Sequence, residues 1–314
     1  MNLERSDDGV WTATQDTSSP GNRTHPDLLE ALPRYLTAFD PAFTWARAKS
    51  EGDFILTLLG MRGMQDAGWE PYETTLKVIP SMARLHSRLE SEEDTQHLQL
   101  WIYGHIMEAS APYDIIGNLA AISAGDSYNF DRFPAHEKTG RPMSPGEKIR
   151  RIETLAQNAG LQGLATPFCE PWNRELRNAV FHADYILHGA DIRTASPFKT
   201  YPHQEISRTV NRALALFYSV KLLVESARRS YTVPTTINAP ISFATSGQQR
   251  AVVVVRDGYG VTGIKHAWTQ AEVAAGRVPF LLGRFFPEEE VLLRTDPTLA
   301  RLPARPHVGP SVAE

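Results

Sequence analysis

The residues from 177 to 182, Arg-Asn-Ala-Val-Phe-His, have the strongest chemical character in this chain. Arg177 supplies a permanent positive charge and a planar set of donors that suits phosphate oxygens. His182 supplies an imidazole, the side chain that gives or takes a proton near neutral pH, and Asn178 adds an amide. These three side chains predict cleavage of a phosphodiester without a metal ion. His182 would act as acid or base, and Arg177 would stabilise the charge that builds on the phosphoryl oxygens.

The spacing of Arg177 and His182 sets a geometric condition on that chemistry. Five residues turn a regular helix by about 500°, so the two side chains would point roughly 140° apart. One groove holds both only if the helix ends near Ala183, if the long arginine arm curls round the helix, or if two chains share a site. A strand predicted to start at Asp184 favours the first route, and a symmetric homodimer favours the last.

The stretch LRNAVFHADY resembles the RxxxxH signature of the HEPN superfamily, helical-bundle domains found in toxins, antiviral ribonucleases and CRISPR effectors. In that family the residue after the arginine is usually polar and commonly asparagine, which Asn178 matches. The resemblance implies catalytic roles for Arg177 and His182, with Asn178 assisting. It also implies a four- or five-helix bundle, a homodimer that brings two motifs together, and metal-independent endoribonuclease activity. The implied reaction is attack by a ribose 2′-hydroxyl on RNA, as in a toxin or an antiviral defence effector.

Asp184 and Tyr185 follow the motif directly and are expected to support it or to contact substrate. Tyr185 comes three positions after His182, whereas the toxin branch with a nucleotidyltransferase antitoxin typically has tyrosine two positions after the histidine. The resemblance is therefore to the superfamily and not to that branch. Whether an antitoxin or another regulatory protein exists stays open.

Polar side chains on neighbouring predicted helices could also support the motif. His105 and Glu108 are three residues apart on a long helix, with Asn118 further along, and could orient His182 or touch substrate. Arg208 and Arg212, one turn apart, could line a basic groove for RNA. None of these spacings gives a tetrahedral or facial set of metal ligands, so neither a metal nor another cofactor is expected. Trp101, Trp172 and Cys169 are expected in the core rather than in a site.

Two other interpretations of the motif are open. In the first, the bundle is a non-catalytic HEPN-like module that binds RNA, a nucleotide or a protein. In the second, the chain is a helical scaffold in which Arg177 pairs with a nearby acid and His182 only caps a helix or lies in the core.

Composition places the chain among ordinary globular proteins. It has 314 residues, of which 42% are hydrophobic and 22% charged, and its formal net charge is −4, so any nucleic-acid site must be local rather than global. One cysteine rules out an internal disulfide and fits a reducing compartment. Without an apolar run long enough for a signal peptide or a membrane span, we expect a cytoplasmic protein that does not enter a membrane.

The fold class predicted from periodicity is mainly α, with a small C-terminal antiparallel β appendage. Residues 1–24 are predicted to be a disordered lead-in, residues 25–231 a helical domain, residues 232–295 a small β-rich segment and residues 296–314 a disordered tail. Within the helical domain, Pro33 should kink or divide the first helix, and Pro112 should bend without ending a long helix over 92–124.

Proline and turn signals mark the later elements. Ser144-Pro145 and Thr166-Pro167 should each open a helix, and the second of these should continue through the Arg177–His182 motif. A short hairpin is predicted at about 184–201, followed by a helix over 203–230. Two strands are predicted around the turn at Asp257-Gly258-Tyr259-Gly260, with a further strand within 278–286.

Overall fold

A computed structural model describes residues 1–15, 24–61, 71–189, 191–195, 197–240, 250–267, 281–283 and 299–304. The prediction of a mainly α fold is confirmed, because helices account for most of the secondary structure between residues 26 and 229. The helices are α1 Pro26–Lys49, α2 Glu51–Leu59, α3 Pro71–His86, α4 Glu92–Glu108, α5 Ser110–Ser123, α6 Pro145–Ala159, α7 Thr166–Cys169, α8 Arg174–His182 and α9 His203–Arg229.

The strands form three small sheets. They are β1 Asn2–Arg5, β2 Trp11–Thr14, β3 Tyr185–His188, β4 Asp191–Ala195, β5 Phe198–Tyr201, β6 Thr236–Asn238, β7 Arg250–Arg256, β8 Gly260–His266, β9 Leu281–Gly283 and β10 Arg301–Leu302. Strands β1 and β2 form a hairpin, and β3, β4 and β5 form an antiparallel meander. The third sheet has the order β10-β7-β8-β9, with β6 also paired to β7.

The long helices α1 and α9 pack against each other and form the centre of the bundle. Pro33 was predicted to kink or divide the first helix. It does not divide α1, which runs unbroken through it. The apolar stripe of Leu32, Leu36 and Phe39 stays buried across this point. Burial of that stripe therefore outweighs the one backbone hydrogen bond that a proline removes.

Residue 109 separates two helices where one bent helix was predicted. Ala109 has an extended ψ of 118°, and its N–H caps the carbonyl groups of His105 and Ile106. Pro112 then falls in the first turn of α5, where a missing N–H costs nothing, while within a continuous helix its ring would clash with the carbonyl of Glu108. The prediction that Pro112 bends the helix without ending it was wrong for this reason.

The helix that opens at Thr166 also stops earlier than predicted. α7 ends at Cys169, Pro171 follows, and Asn173 starts the separate helix α8 by accepting a hydrogen bond from the N–H of Leu176 at 2.9 Å. By contrast, the predicted start of α6 is confirmed, since Ser144 and Glu147 form a capping box.

The N-terminal residues are not a disordered lead-in over the part that is described. β1 and β2 pair from Asn2 to Thr14, and this hairpin packs on α1. Arg5 forms an ion pair with Asp40 at 2.6 Å, and the N–H of Trp11 donates to the hydroxyl of Thr37. Contacts with a distant helix supply the stability that a short polar hairpin lacks by itself. Residues 16–23 lie outside the described part.

The C-terminal sheet is part of the main core and not an appendage. Ile237, Val253, Val261 and Ile264 belong to the same buried cluster as the helices, and β8 contacts both α2 and α9. The sheet is also not wholly antiparallel, because β10 pairs with β7 in parallel. Leu302 of β10 is buried, so the predicted disordered tail is wrong at Arg301–Leu302, while residues 305–314 lie outside the described part.

Three further predictions about the β elements can be compared with the structure. The hairpin at about 184–201 is confirmed and extended by a third strand. The turn between β7 and β8 is confirmed. Of the predicted strand within 278–286, only β9 lies in the described part. Within the described ranges, no helix combines the length and the apolar content needed to cross a bilayer.

Candidate functional site

Helix α8 presents the Arg177–His182 motif, and both of its ends are fixed by local hydrogen bonds. Asn173 caps the start, where the hydroxyl of Tyr103 from α4 also accepts from the N–H of Asn173 at 3.1 Å. At the other end Ala183 has φ 53°, a left-handed conformation, and the N–H of Asp184 donates to the carbonyl of Ala179 at 2.9 Å. This Schellman-type ending stops the helix at His182. The helix end near Ala183, on which the first of the three expected routes depends, is therefore present.

The solvent-facing side of α8 presents Arg177, Asn178 and His182. At 100° per residue, the order around this side is Arg177, Phe181, Arg174, Asn178, His182 and Glu175, while Leu176 and Ala179 point into the core. Arg177 and His182 therefore lie about 140° apart on one side of the helix, with Phe181 and Asn178 between them. No hydrogen bond or ion pair within the described part joins Arg177 to His182.

Arg177 is held by its neighbours before any ligand binds. Its Nε donates to Oε1 of Glu108 at 2.5 Å, and one of its terminal nitrogens donates to the side-chain oxygen of Asn178 at 2.9 Å. The guanidinium also lies over the ring of Phe181, 5.1 Å from the ring centroid. Glu108 was expected to orient His182 or to touch substrate; in the structure it contacts the motif through Arg177 and not through His182.

His182 is exposed at the end of α8. Within the described part of the chain its imidazole makes no hydrogen bond and no ion pair. It is therefore neither a helix cap nor a core residue, and the purely structural interpretation of His182 is not supported by its surroundings. An imidazole in this position is accessible to a ligand from solution.

His105 lies one turn before Glu108 on α4 and is half-buried. Its Nε2 is inaccessible to solvent and has no hydrogen-bond partner. Burial lowers the pKa of His105 below that of a free histidine. A neutral imidazole next to the Arg177–Glu108 pair adds no charge to compete with that pair.

Tyr185 is held by His97, a residue that was not predicted to belong to the site. The Tyr185 hydroxyl lies 2.8 Å from Nδ1 of His97, and the two rings are 5.7 Å apart between centroids. Burial raises the pKa of Tyr185. Asp184 contributes a backbone contact on this side: its carbonyl accepts a hydrogen bond from the N–H of Ala195, the last residue of β4, at 3.3 Å. The eight-residue spacing of His97 and His105 was the only sequence signal for His97, and it does not indicate a contact with Tyr185.

Three predicted supporting residues lie in other networks. Asn118 is buried, and its amide bonds to the backbone of Asp114 and Asn129 and to Nε of Arg132, so it fixes the loop after α5. Arg208 pairs with Asp27 at 3.8 Å, and Arg212 pairs with Glu170 at 3.6 Å. None of the three contacts the motif. Both arginines face carboxylates outside the motif, so the structure does not bring them to the Arg177–His182 site.

Two residues expected in the core are exposed. Trp101 is 61% exposed on α4. Cys169 is exposed beside a cleft of about 380 Å³ between the end of α6 and α7, with its sulfur 3.4 Å from Oε1 of Glu153. Trp172 is half-buried against Gly146, in keeping with its predicted packing role. Helical spacing placed Trp101 near the buried stripe, but that stripe is too narrow to cover it.

No group of three or more histidine, cysteine, aspartate or glutamate side chains within the described ranges could hold a metal ion. Comparison of the chain with protein-family models, with curated proteins and with solved structures gives no match.

Proposed function

We propose that this chain is a metal-independent endoribonuclease of the HEPN type, acting through Arg177, Asn178 and His182. The observation that supports this best is the end of α8. The left-handed turn at Ala183 leaves the imidazole of His182 in solvent, on the same solvent-facing side of α8 as an arginine that Glu108 and Asn178 hold in place. A preorganised cation beside an accessible imidazole suits phosphodiester chemistry.

In the proposed reaction, the 2′-oxygen of a ribose attacks the adjacent phosphorus, and the bond from phosphorus to the 5′-oxygen breaks. One proton leaves the 2′-hydroxyl and another reaches the departing 5′-oxygen. The products are a 2′,3′-cyclic phosphate and a 5′-hydroxyl. His182 makes one of the two transfers, and the phosphate oxygens bind the Arg177 nitrogen that neither Glu108 nor Asn178 occupies.

A homodimer would supply the second imidazole. The two proton transfers need two groups of opposite protonation, while each chain offers one exposed histidine on the solvent-facing side of α8. Two motifs facing each other across a two-fold axis satisfy this need with one kind of surface. The physiological role as a toxin or defence effector, in the cytoplasm and with or without a regulatory partner, is proposed from the family resemblance alone.

The first experiment measures cleavage of a labelled single-stranded RNA in the presence of EDTA. We expect His182→Ala to lower the cleavage rate by about 100-fold or more, the usual contribution of a positioned acid or base. Arg177→Lys should also lower the rate, because lysine keeps the charge but loses the planar donor set. An RNA with a 2′-deoxy sugar at the cleaved position should be inert.

His188→Ala is the matched control, since His188 is another exposed histidine and lies in β3, six residues after His182. It should cleave at the normal rate. Cleavage that persists in His182→Ala, or that stops when EDTA is added, would contradict the proposal. Because His182 is exposed, its loss should leave the circular dichroism spectrum and the melting temperature unchanged.

The second candidate function is a non-catalytic module that binds RNA, a nucleotide or a protein. The 2.5 Å ion pair favours it, because Arg177 is already neutralised by Glu108 and has no contact with His182. Binding of RNA with no product after prolonged incubation, in the wild-type homodimer, would support this candidate over the nuclease.

A further inference from the structure

Trp101 is a large aromatic side chain left open to solvent next to the Arg177–His182 motif. On α4 it lies one turn before His105 and two turns before Glu108, about 10 Å along the helix axis from the residue that holds Arg177. Its ring is 61% exposed, although an indole is among the most apolar surfaces that a protein can offer. Nothing within the described part of the chain covers it.

The contacts on either side of Trp101 place it in the motif's surface. One turn before it, His97 contacts Tyr185 of β3, and one turn after it Gly104 packs under the ring of Phe181. A Cβ at position 104 would lie 3.0 Å from that ring, so the glycine lets α8 approach α4 at this level. Trp101 therefore stands on α4 between two points where α8 and β3 touch the helix.

The groups around Trp101 are polar, which suits a nucleic acid better than the apolar centre of a protein interface. Along this face His97 lies 3.9 Å from the Glu93 carboxylate, His105 is half-buried and Glu108 pairs with Arg177, while Arg174 on α8 is exposed and has no partner in the described part. The buried centre of a protein–protein interface is depleted in charged residues. Aromatic side chains beside cationic ones are instead typical of grooves that bind single strands.

We propose that Trp101 is a stacking platform for an unpaired base of a single-stranded RNA whose backbone runs past Arg177 and His182. Phe181, half exposed and backed by Gly104, forms the wall between the platform and the guanidinium. This inference rests on the proposed function for its choice of RNA as ligand. Stacking on an indole does not select a base, so this subsite makes the protein selective for unpaired strands and not for a sequence.

The test measures binding of a fluorescent single-stranded DNA and of the RNA of the same sequence by anisotropy. DNA lacks the 2′-hydroxyl and cannot react, so its binding is independent of cleavage. We expect Trp101→Ala to weaken binding of both strands about tenfold, in the range found for loss of one stacking side chain. Trp101→Phe should retain most of the affinity, and binding of duplex RNA should not change.

Trp45→Ala is the matched control, because Trp45 is 47% exposed on α1, a helix that packs mainly against α9 and α5. Its affinity for the single strand should equal that of the wild type. Quenching of tryptophan fluorescence by the single-stranded DNA should be present in the wild type and in Trp45→Ala and absent in Trp101→Phe. This second readout does not depend on how well Trp101→Ala folds.

Unchanged affinity in Trp101→Ala, or unchanged quenching in Trp101→Phe, would overturn the inference, even where cleavage depends on His182. Absence of single-strand binding in the wild type would overturn it too. If Trp101→Ala instead converts a dimer to monomers in sedimentation experiments, the surface is an interface between copies and the inference fails. Trp101-dependent binding without any cleavage would remove only the nuclease proposal.

Discussion

Arg177 illustrates how much of a site depends on contacts between distant residues. Its arginine–histidine spacing is visible in the sequence, and so is the asparagine beside it. The carboxylate that fixes it comes from Glu108, 69 residues earlier. That contact sets which guanidinium nitrogens stay available to a phosphate, and hence from which side a ligand can approach.

Cys169 provides a residue-scale prediction with a clear pH dependence. Burial and the neighbouring Glu153 carboxylate raise the pKa of the Cys169 thiol to about 11. Only the thiolate reacts with alkylating agents, so this exposed thiol should react slowly with iodoacetamide at pH 8. The rate should climb as the pH approaches 11. Since the chain has a single cysteine, the mass of the intact protein reports the reaction directly.

Glu153→Gln is the control for Cys169. It removes one negative charge that opposes ionisation and should shift the alkylation profile to lower pH, while the larger effect of burial keeps the pKa of the thiol raised. Rapid alkylation of the wild type at pH 8 would mean that the thiol is not held in its protonated form.

Single residues were predicted well only where their partners lie on the same short segment. The capping box at Ser144 is local and follows from the spacing of Ser144 and Glu147. The roles of His97, Asn118 and Trp101 depend on which helix packs where, and spacing within one helix contains no such information. Asn118 was consequently assigned to the site although it fixes a loop, and Trp101 to the core although it is exposed.

At the scale of elements, the end of α8 controls where His182 points. Ala183 adopts the left-handed conformation without being a glycine, which costs a residue with a Cβ roughly 1–2 kcal/mol. The turn nevertheless forms because β3 starts two residues later and pairs with β4. Local preference and sheet pairing therefore conflict here, and such conflicts often occur at functional sites.

Ala183→Gly should relieve this conflict. Glycine removes the steric cost of the left-handed turn but loses more entropy on folding, so we expect a net gain in stability of up to about 1 kcal/mol. Urea denaturation measures the difference. Ala179→Gly, in the regular part of the same helix, should instead lose about 1 kcal/mol or more. A loss of stability in Ala183→Gly would show that this turn is not strained.

Element boundaries were the least predictable part of the fold. Proline signals gave the starts of α6 and α7 correctly, but Pro112 does not lie within one bent helix, Pro33 does not divide α1, and the break at Pro171 was not predicted. A proline can start a helix, end one or lie within one. Which of these occurs depends on whether the apolar stripe of the helix stays buried on both sides of the proline. The stripe through Pro33 packs on α9, whereas α7 and α8 bury different faces on either side of Pro171.

At the scale of the whole molecule, the bundle and the C-terminal sheet share one core. The spacing of apolar residues predicted a change from helix to strand after α9, and this is correct. It gave no sign that Val253 and Ile264 would pack with the helices. An apolar strand has the same sequence pattern whether it packs on a helix or on another strand. The order of strands, with β10 beside β7, likewise depends on long-range pairing.

Gly260 lies where the C-terminal sheet meets the end of α9, so substitution of this residue tests how tightly the two are packed. Its φ of 91° suits glycine, and a Cβ there would overlap the carbonyl of Arg228 at the end of α9. Gly258, two residues away, has φ 74° and open space around it. We expect Gly258→Ala to cost about 1 kcal/mol, from conformation alone, and to lower the melting temperature by a few degrees.

Gly260→Ala should destabilise the protein by several kcal/mol more than Gly258→Ala, because the backbone of α9 or of the sheet must move. One cooperative thermal transition that includes both helix and strand signals would support a shared core. Equal melting temperatures for the two variants would mean that the sheet is free to shift away from α9.

The burial of α2 limits how this protein can be dissected. From Gly52 to Leu59 every residue of that helix is buried, and Gly52 lies against the backbone of Asn238 and Pro240. A fragment that ends after α9 would lack the residues that cover α2. It would expose this apolar helix to water and would aggregate. Deletion mapping from the C-terminus would then report lost solubility and say nothing about catalysis, so dissection of this chain has to rely on point substitutions.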